Sequence, residues 1–272
     1  MERRQLLVSG LTALGATTFG LNPYLAEVAA QGKKKKVVEL DTDEESGDPD
    51  APTEVLALDK QKIDRLYEGL IVMPKGIRKD AQTIALKALE ISKSHIGVSR
   101  SSNPRKVTQF LNLFNLGLRY EGGQFIPYCA TGVAFAACQA YCTINPQPIM
   151  FDPKTPNLKF RKVLRDINKY YFRPSPACRF MVSDAKARGI WVPKAQANWK
   201  NLKPGWLVIF DWKQVGKANH VGFVDKSLKD VLHTVEYNTS TSAGGSRSNG
   251  GAVAQKERDP KFALGYIKTY PG

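Results

Sequence analysis

The sequence predicts an α+β fold, with helices first and an antiparallel sheet after them. Three observations point that way. Residues 80–96 repeat apolar side chains at helical spacing. Residues 128–138 are almost all small or apolar, a run suited to a buried helix. From Lys203 onward the pattern becomes short apolar or alternating runs, punctuated by Gly, Pro and Ser. With 42% hydrophobic and 10% aromatic residues, the 272-residue chain can build a core and is not globally disordered. No apolar run reaches the ~18–20 residues that span a bilayer. Four Cys in a chain this long do not make a disulfide scaffold, and three His leave little room for a His-rich metal site.

Residues 1–30 read as an export signal. Arg3 and Arg4 precede a modestly apolar stretch diluted by Gly10, Gly15 and Gly20, and Val28-Ala29-Ala30 supplies the small-residue exit. Adjacent arginines with a weakly hydrophobic middle resemble a twin-arginine signal. An amphipathic anchor is the competing reading, and the interrupted apolar stretch disfavours it. Residues 31–55 follow as a charged linker, with a basic block at Lys33–Lys36 and then a run of acidic residues broken by Pro49 and Pro52. Residues 56–77 form a short helical lead-in. The folded body is residues 78–272.

Within that body, 80–96 is a helix with Asp80 as N-cap and Gly97 as stop. Residues 105–116 make a second helix ending before Gly117. A Gly/Pro loop then leads into the helix that begins at Cys129 and runs to about 141. Residues 157–171 are basic and helical in pattern, and 177–189 form another short helix. The strands are 206–212, 220–225, 231–238, 253–258 and 264–270. There is no internal repeat.

Charge divides unevenly. Residues 1–77 carry a net of −3 and residues 78–272 a net of +18. A body so basic points to a polyanionic partner, either nucleic acid, an anionic membrane face or a cell-wall polymer. A cationic surface that serves solubility alone is the plainer reading.

A Cys in the first turn of a helix is placed for thiolate chemistry, because the helix dipole and free N–H groups favour the anion. The plainer reading makes Cys129 one more small buried residue, like Cys138 and Cys142. A His on a later strand, His220, completes a nucleophile–base pair in which the imidazole takes and returns a proton. A third polar group then holds the imidazole's other nitrogen. His233, Glu236 and Asn238 are the candidates, all on one strand. Alternation puts Glu236 and Asn238 on one face with Leu232 and Thr234, and turns His233 to the other.

Four segments in order resemble the CHAP family of cysteine amidases and peptidases, within the papain-like group that includes NlpC-type cell-wall hydrolases. They are the lead-in helix from Ala85 to Gly97, Pro127-Tyr128-Cys129-Ala130, the pair Lys203-Pro204-Gly205-Trp206-Leu207 and His220-Val221-Gly222-Phe223, and Val235-Glu236-Tyr237-Asn238 with the Gly-rich turn after it. Together they span about 78–272. The resemblance implies a papain-like fold whose nucleophile helix packs on the antiparallel sheet. It implies Cys129 as nucleophile, His220 as base and Glu236 as the group orienting the His, with Asn238 nearby. His233 is the alternative third member, as in NlpC-type relatives. Backbone N–H groups at the helix start would hold the oxyanion, with Gln124 as a side chain to watch.

The reaction implied is hydrolysis of an amide bond in peptidoglycan, with no cofactor or metal. The partner is peptidoglycan or another anionic cell-wall polymer. No nucleic acid, no stable membrane insertion after signal removal and a monomeric state are expected, with the protein periplasmic, extracellular or in the cell wall. The family usually has Gly-Asp-Leu where this chain has Gly205-Trp206-Leu207, a difference of local packing. The alternatives are an inactive wall-binding module on the same fold, a papain-like hydrolase of another amide, and a nucleic-acid binder suggested by charge alone. Export predicts at most one disulfide, excluding Cys129. Cys178 with Cys138 or Cys142 is the pairing considered, against three reduced thiols.

Overall fold

The computed structural model describes residues 80–145 except 115 and 121–122, residues 163 and 167, and residues 172–271 except 229 and 243–248. The expected export signal, linker and lead-in lie outside the described residues, as does the 157–171 piece apart from Val163 and Ile167. Among the described residues no helix is long and apolar enough to cross a membrane.

The architecture is α+β. Helices α1 (Ala81–Ser94), α2 (Pro104–Asn112), α3 (Cys129–Ile144) and α4 (Cys178–Ala187) precede a six-stranded sheet. Its strands are β1 (Trp191–Pro193), β2 (Leu207–Phe210), β3 (His220–Leu228), β4 (Val231–Thr239), β5 (Ala252–Arg258) and β6 (Ala263–Ile267), in the order β1-β6-β2-β3-β4-β5. Every neighbouring pair is antiparallel.

α1 ends at Ser94, two residues short of the expected 96, and Gly97 beyond it takes φ +89 and bonds its N–H to Val253 of β5. Asp80 makes no side-chain cap; its carbonyl accepts from Ile84. α2 starts at Pro104, the first-turn position where proline's missing N–H costs nothing, and stops at Asn112, short of the expected 116. α3 is buried from Cys129 through Cys138 without a break, which is why its sequence carries no polar stripe. It packs against α1 on one side and β3 and β4 on the other. Gly132 makes that approach possible, since a Cβ there would meet the Tyr237 ring at 2.3 Å. Around it Phe110, Phe135 and Tyr237 form an aromatic cluster, with Phe110 edge-on to Tyr237 at 5.3 Å.

Strand β1 was not expected. It is three residues long and ends in Pro193, which suits only a sheet edge. Trp206, standing where the resembled family has Asp, is buried and donates its indole N–H to the Tyr270 carbonyl at 3.1 Å.

Candidate active site

The sheet brings the site residues together from separate elements. Cys129 is the first residue of α3, His220 the first of β3, Glu236 lies in β4 and Arg258 closes β5. Glu236 stands opposite Gly222 in the β3–β4 register. A Cβ at Gly222 would come 2.8 Å from Glu236 Cγ, so the glycine makes room for the carboxylate. Thr234 and Glu236 share a face of β4 and meet directly, Thr234 Oγ1 donating to Glu236 Oε1 at 2.6 Å.

Glu236 and His220 are both fully buried. The imidazole Nε2–H donates to Glu236 Oε2 at 3.0 Å. Arg258 grips the same carboxylate with two donors, Nε to Oε1 at 2.8 Å and Nη2 to Oε2, and also reaches Thr239 Oγ1 at 3.1 Å. Its guanidinium lies over the Trp212 ring, 4.9 Å from the centroid. Trp212 in turn stacks on Phe210 at 4.5 Å and packs against the imidazole at 5.7 Å. A buried carboxylate left alone would protonate. Burial does push Glu236 upward, but the Arg258 and His220 bonds and charges outweigh it and hold the carboxyl at about 2.

His220 Nδ1, the ring nitrogen that Glu236 does not touch, has no hydrogen-bond partner among the described residues. Cys129 also interacts with this imidazole and favours its charged form. Burial opposes the imidazolium, yet Cys129 and Glu236 together raise His220 to about 9. Cys129 moves the opposite way, well below an ordinary thiol. The largest cause is a bond from Cys178, whose Sγ lies 3.8 Å from Cys129 Sγ; burial works against it; the His220 contact and the Ala130 N–H add to it. The two shifts run in the directions that favour a thiolate–imidazolium pair, with the proton on His220.

Tyr120 belongs to the same neighbourhood. It sits in the turn before α3, where Arg119 bridges to Phe125 and Tyr120 N–H bonds to the Gln124 carbonyl. Its hydroxyl is buried without a hydrogen-bond partner among the described residues, and burial plus the Cys129 charge push it up to about 12. Both causes favour the protonated hydroxyl, a donor within electrostatic reach of Cys129. Gln124 itself is exposed and contributes its backbone carbonyl to that turn.

The other expected residues lie elsewhere. Asn238 takes φ +60 at a register shift in β4, so the strand's alternation breaks before it. Its side chain accepts from Arg100 and donates to Asn249. Arg100 also stacks over Phe125 and Tyr128, so this cluster braces the approach to Cys129. His233 faces Glu257, Nδ1 to Oε1 at 3.7 Å, at the far end of β4. His95 is buried in the aromatic cluster, where burial and then Lys106 lower it to about 4. The neutral ring sits 2.9 Å from Tyr237 Oη through Nδ1, while Tyr237 donates to Ser92.

No cysteine is in a disulfide. Cys178 lies beside Cys129 and not beside Cys138 or Cys142. The expected pairing therefore fails on distance. Nine residues of helix place Cys138 about 14 Å along the α3 axis from Cys129. Among the described residues no group of three or more His, Cys, Asp or Glu side chains is arranged to hold a metal ion. Compared with known proteins, the chain matches no family model, no curated protein and no solved structure.

Proposed function

We propose that this chain is a cysteine hydrolase that cleaves amide bonds in peptidoglycan through Cys129, His220 and Glu236. The observation that carries this reading is the buried imidazole whose Nε2–H donates to an Arg258-clamped carboxylate, with Cys129, at the start of α3, interacting with the same ring and its thiol lowered. A salt bridge built only for stability has no use for a thiol with a depressed pKa at a helix start.

The thiolate attacks the amide carbon and a C–S bond forms. The carbonyl oxygen becomes an oxyanion, received by backbone N–H groups in the first turn of α3 and by the Tyr120 hydroxyl. His220 gives its Nδ1 proton to the leaving nitrogen as the C–N bond breaks. Water then attacks the thioester, His220 takes the water's proton, and the acid leaves. Glu236 keeps the Nε2 proton in place throughout and steadies the imidazolium.

The substrate class rests on three supports. The ordered segments resemble the CHAP family, and a nucleophile helix packed against β3 and β4 suits the papain-like arrangement that resemblance implies. The basic 78–272 region suits a wall rich in carboxylates and anionic polymers. The N-terminal thirty residues read as an export signal.

The test is incubation of the purified protein with purified peptidoglycan, followed by mass analysis of the released fragments. New amine and carboxyl ends should appear with the wild-type protein and vanish with Cys129→Ala. A Cys129→Ala preparation releasing the same fragments would refute the reading.

A further inference from the structure

We propose that Cys129 and Cys178 form a redox modification site, in which a hydroperoxide closes a reversible disulfide between them and masks the nucleophile. The bridge itself needs only the two thiols; the loss of hydrolysis that follows from it rests on the function proposed above.

The two sulfurs are 3.8 Å apart and lie on different helices, each at the first residue. A disulfide needs about 2.05 Å between sulfurs, so closure asks for less than about 2 Å of relative motion. Side-chain rotation at two helix starts can supply movement of this order without shifting either helix. Both thiols stand where free backbone N–H groups favour the anion. Pro174 and Pro176 precede Cys178, and Ser175 accepts from the Ala177 N–H, so the chain entering α4 is a fixed turn. Cys178 is therefore presented to Cys129 by its own helix start and not by a mobile loop.

Cys129 is 6% exposed and Cys178 5%. Any route that admits a carbonyl carbon to the Cys129 sulfur admits a peroxide, which is smaller. The chemistry balances in two steps. The Cys129 thiolate attacks one peroxide oxygen, the O–O bond breaks, and a sulfenic acid forms with hydroxide released. Cys178 then loses its proton and attacks the sulfenic sulfur, an S–S bond forms and water leaves. Overall two thiols are oxidised by two electrons and one hydroperoxide is reduced. A thiol reductant reverses the bond by exchange.

The remaining cysteines do not compete. Cys138 and Cys142 lie about 14 and 20 Å further along the α3 axis. Burial and the neighbouring Cys142 charge hold the Cys138 thiol protonated. The Cys178 thiol thus has one partner sulfur in reach. Its consequence is protection as well as silencing, because a disulfide stops the nucleophile short of irreversible sulfinic acid.

The full-length protein, reduced and desalted, is treated with hydrogen peroxide. The protein is then denatured, remaining thiols are blocked with iodoacetamide and the unreduced peptides mapped by mass. A Cys129–Cys178 linked peptide should appear, alkylation should fall from four thiols to two, and dithiothreitol should restore all four. In Cys178→Ala, and in Cys178→Ser should the alanine variant not fold, Cys129 should instead stop as a dimedone-reactive sulfenic acid. Sulfinic acid at Cys129 of the wild-type protein with Cys178 still alkylated, or a bridge from Cys178 to Cys138 or Cys142, would overturn the proposal. The thiol map is independent of turnover. A bridge in a protein that leaves peptidoglycan intact sinks only the hydrolase reading, and hydrolysis without a bridge sinks only the redox pair.

Discussion

Glu236 has every carboxylate oxygen engaged, by His220, Arg258 and Thr234, in a site closed to solvent. With Cys129, its bond and charge favour the protonated His220. Glu236→Gln removes that charge and leaves the half-buried Arg258 against a neutral amide, so turnover should fall by two or more orders of magnitude, as when a triad's orienting carboxylate is lost. His233→Ala should leave turnover close to wild type, because its carboxylate contact is at the opposite end of β4. Steady-state rates on one muropeptide check the ranking, and the reverse order would shift the third role to His233. Cys129 and His220 also make opposite demands on pH. The thiol is lowered and the imidazole raised to about 9, shifts that favour the charged pair near neutrality. Iodoacetamide should therefore alkylate Cys129 rapidly at pH 6, where an ordinary thiol with a pKa near 8.5 is almost wholly protonated. Turnover should decline as pH rises through about 9, since His220 then lacks the proton the leaving nitrogen needs. Alkylation at pH 6 no faster than that of a free thiol would show that no such pair exists. Tyr120→Phe keeps the ring and deletes the buried donor. It should lower kcat on the order of 10²-fold with little change in KM, the pattern for a group that serves the oxyanion. An unchanged kcat would remove Tyr120 from the site.

At the scale of elements, the site depends on how closely β3 and β4 can lie at Gly222. Adding one methyl there puts a Cβ 2.8 Å from Glu236 Cγ and 3.2 Å from the Val235 carbonyl. Gly222→Ala should cost about 1–3 kcal/mol, the usual range for overpacking, and should depress turnover by displacing the carboxylate from His220. Chemical denaturation and rates measured on the same preparation test both halves, and wild-type values for both would contradict the geometry. Much of this layout is legible in the sequence, for a physical reason. Helix starts and strand patterns are local properties, and Cys129 and His220 each open an element. Glu236 is legible through alternation along β4, which holds up to that residue. Asn238 is misjudged by the same rule, because the register shift and φ +60 end the alternation. Arg258, Cys178 and Tyr120 escape notice because nothing near them in sequence marks their role. Arg258 meets Glu236 across 22 residues and Cys178 meets Cys129 across 49, through pairings that only the folded chain creates. The β1 edge strand is too short, at three residues, to show any period.

At the scale of the whole molecule the charge asymmetry remains. The net of +18 over residues 78–272 is an electrostatic field, and the buried site is not part of it. Exposed charges more than roughly 8–10 Å apart are screened at physiological ionic strength, while buried contacts are screened far less. If the basic body holds the enzyme on an anionic wall, added salt should weaken that hold without reaching the Cys129–His220 pair. Activity on intact walls should then fall with salt more steeply than activity on a small soluble muropeptide. A positive surface that serves only solubility predicts parallel decline, since nothing distinguishes the two substrates once they reach Cys129. Rates on both substrates, measured side by side from low salt to well above physiological, separate these cases. Parallel curves would refute wall targeting by charge and leave the chemistry proposed at Cys129, His220 and Glu236 untouched, because all three residues are buried and His220 meets Glu236 at 3.0 Å.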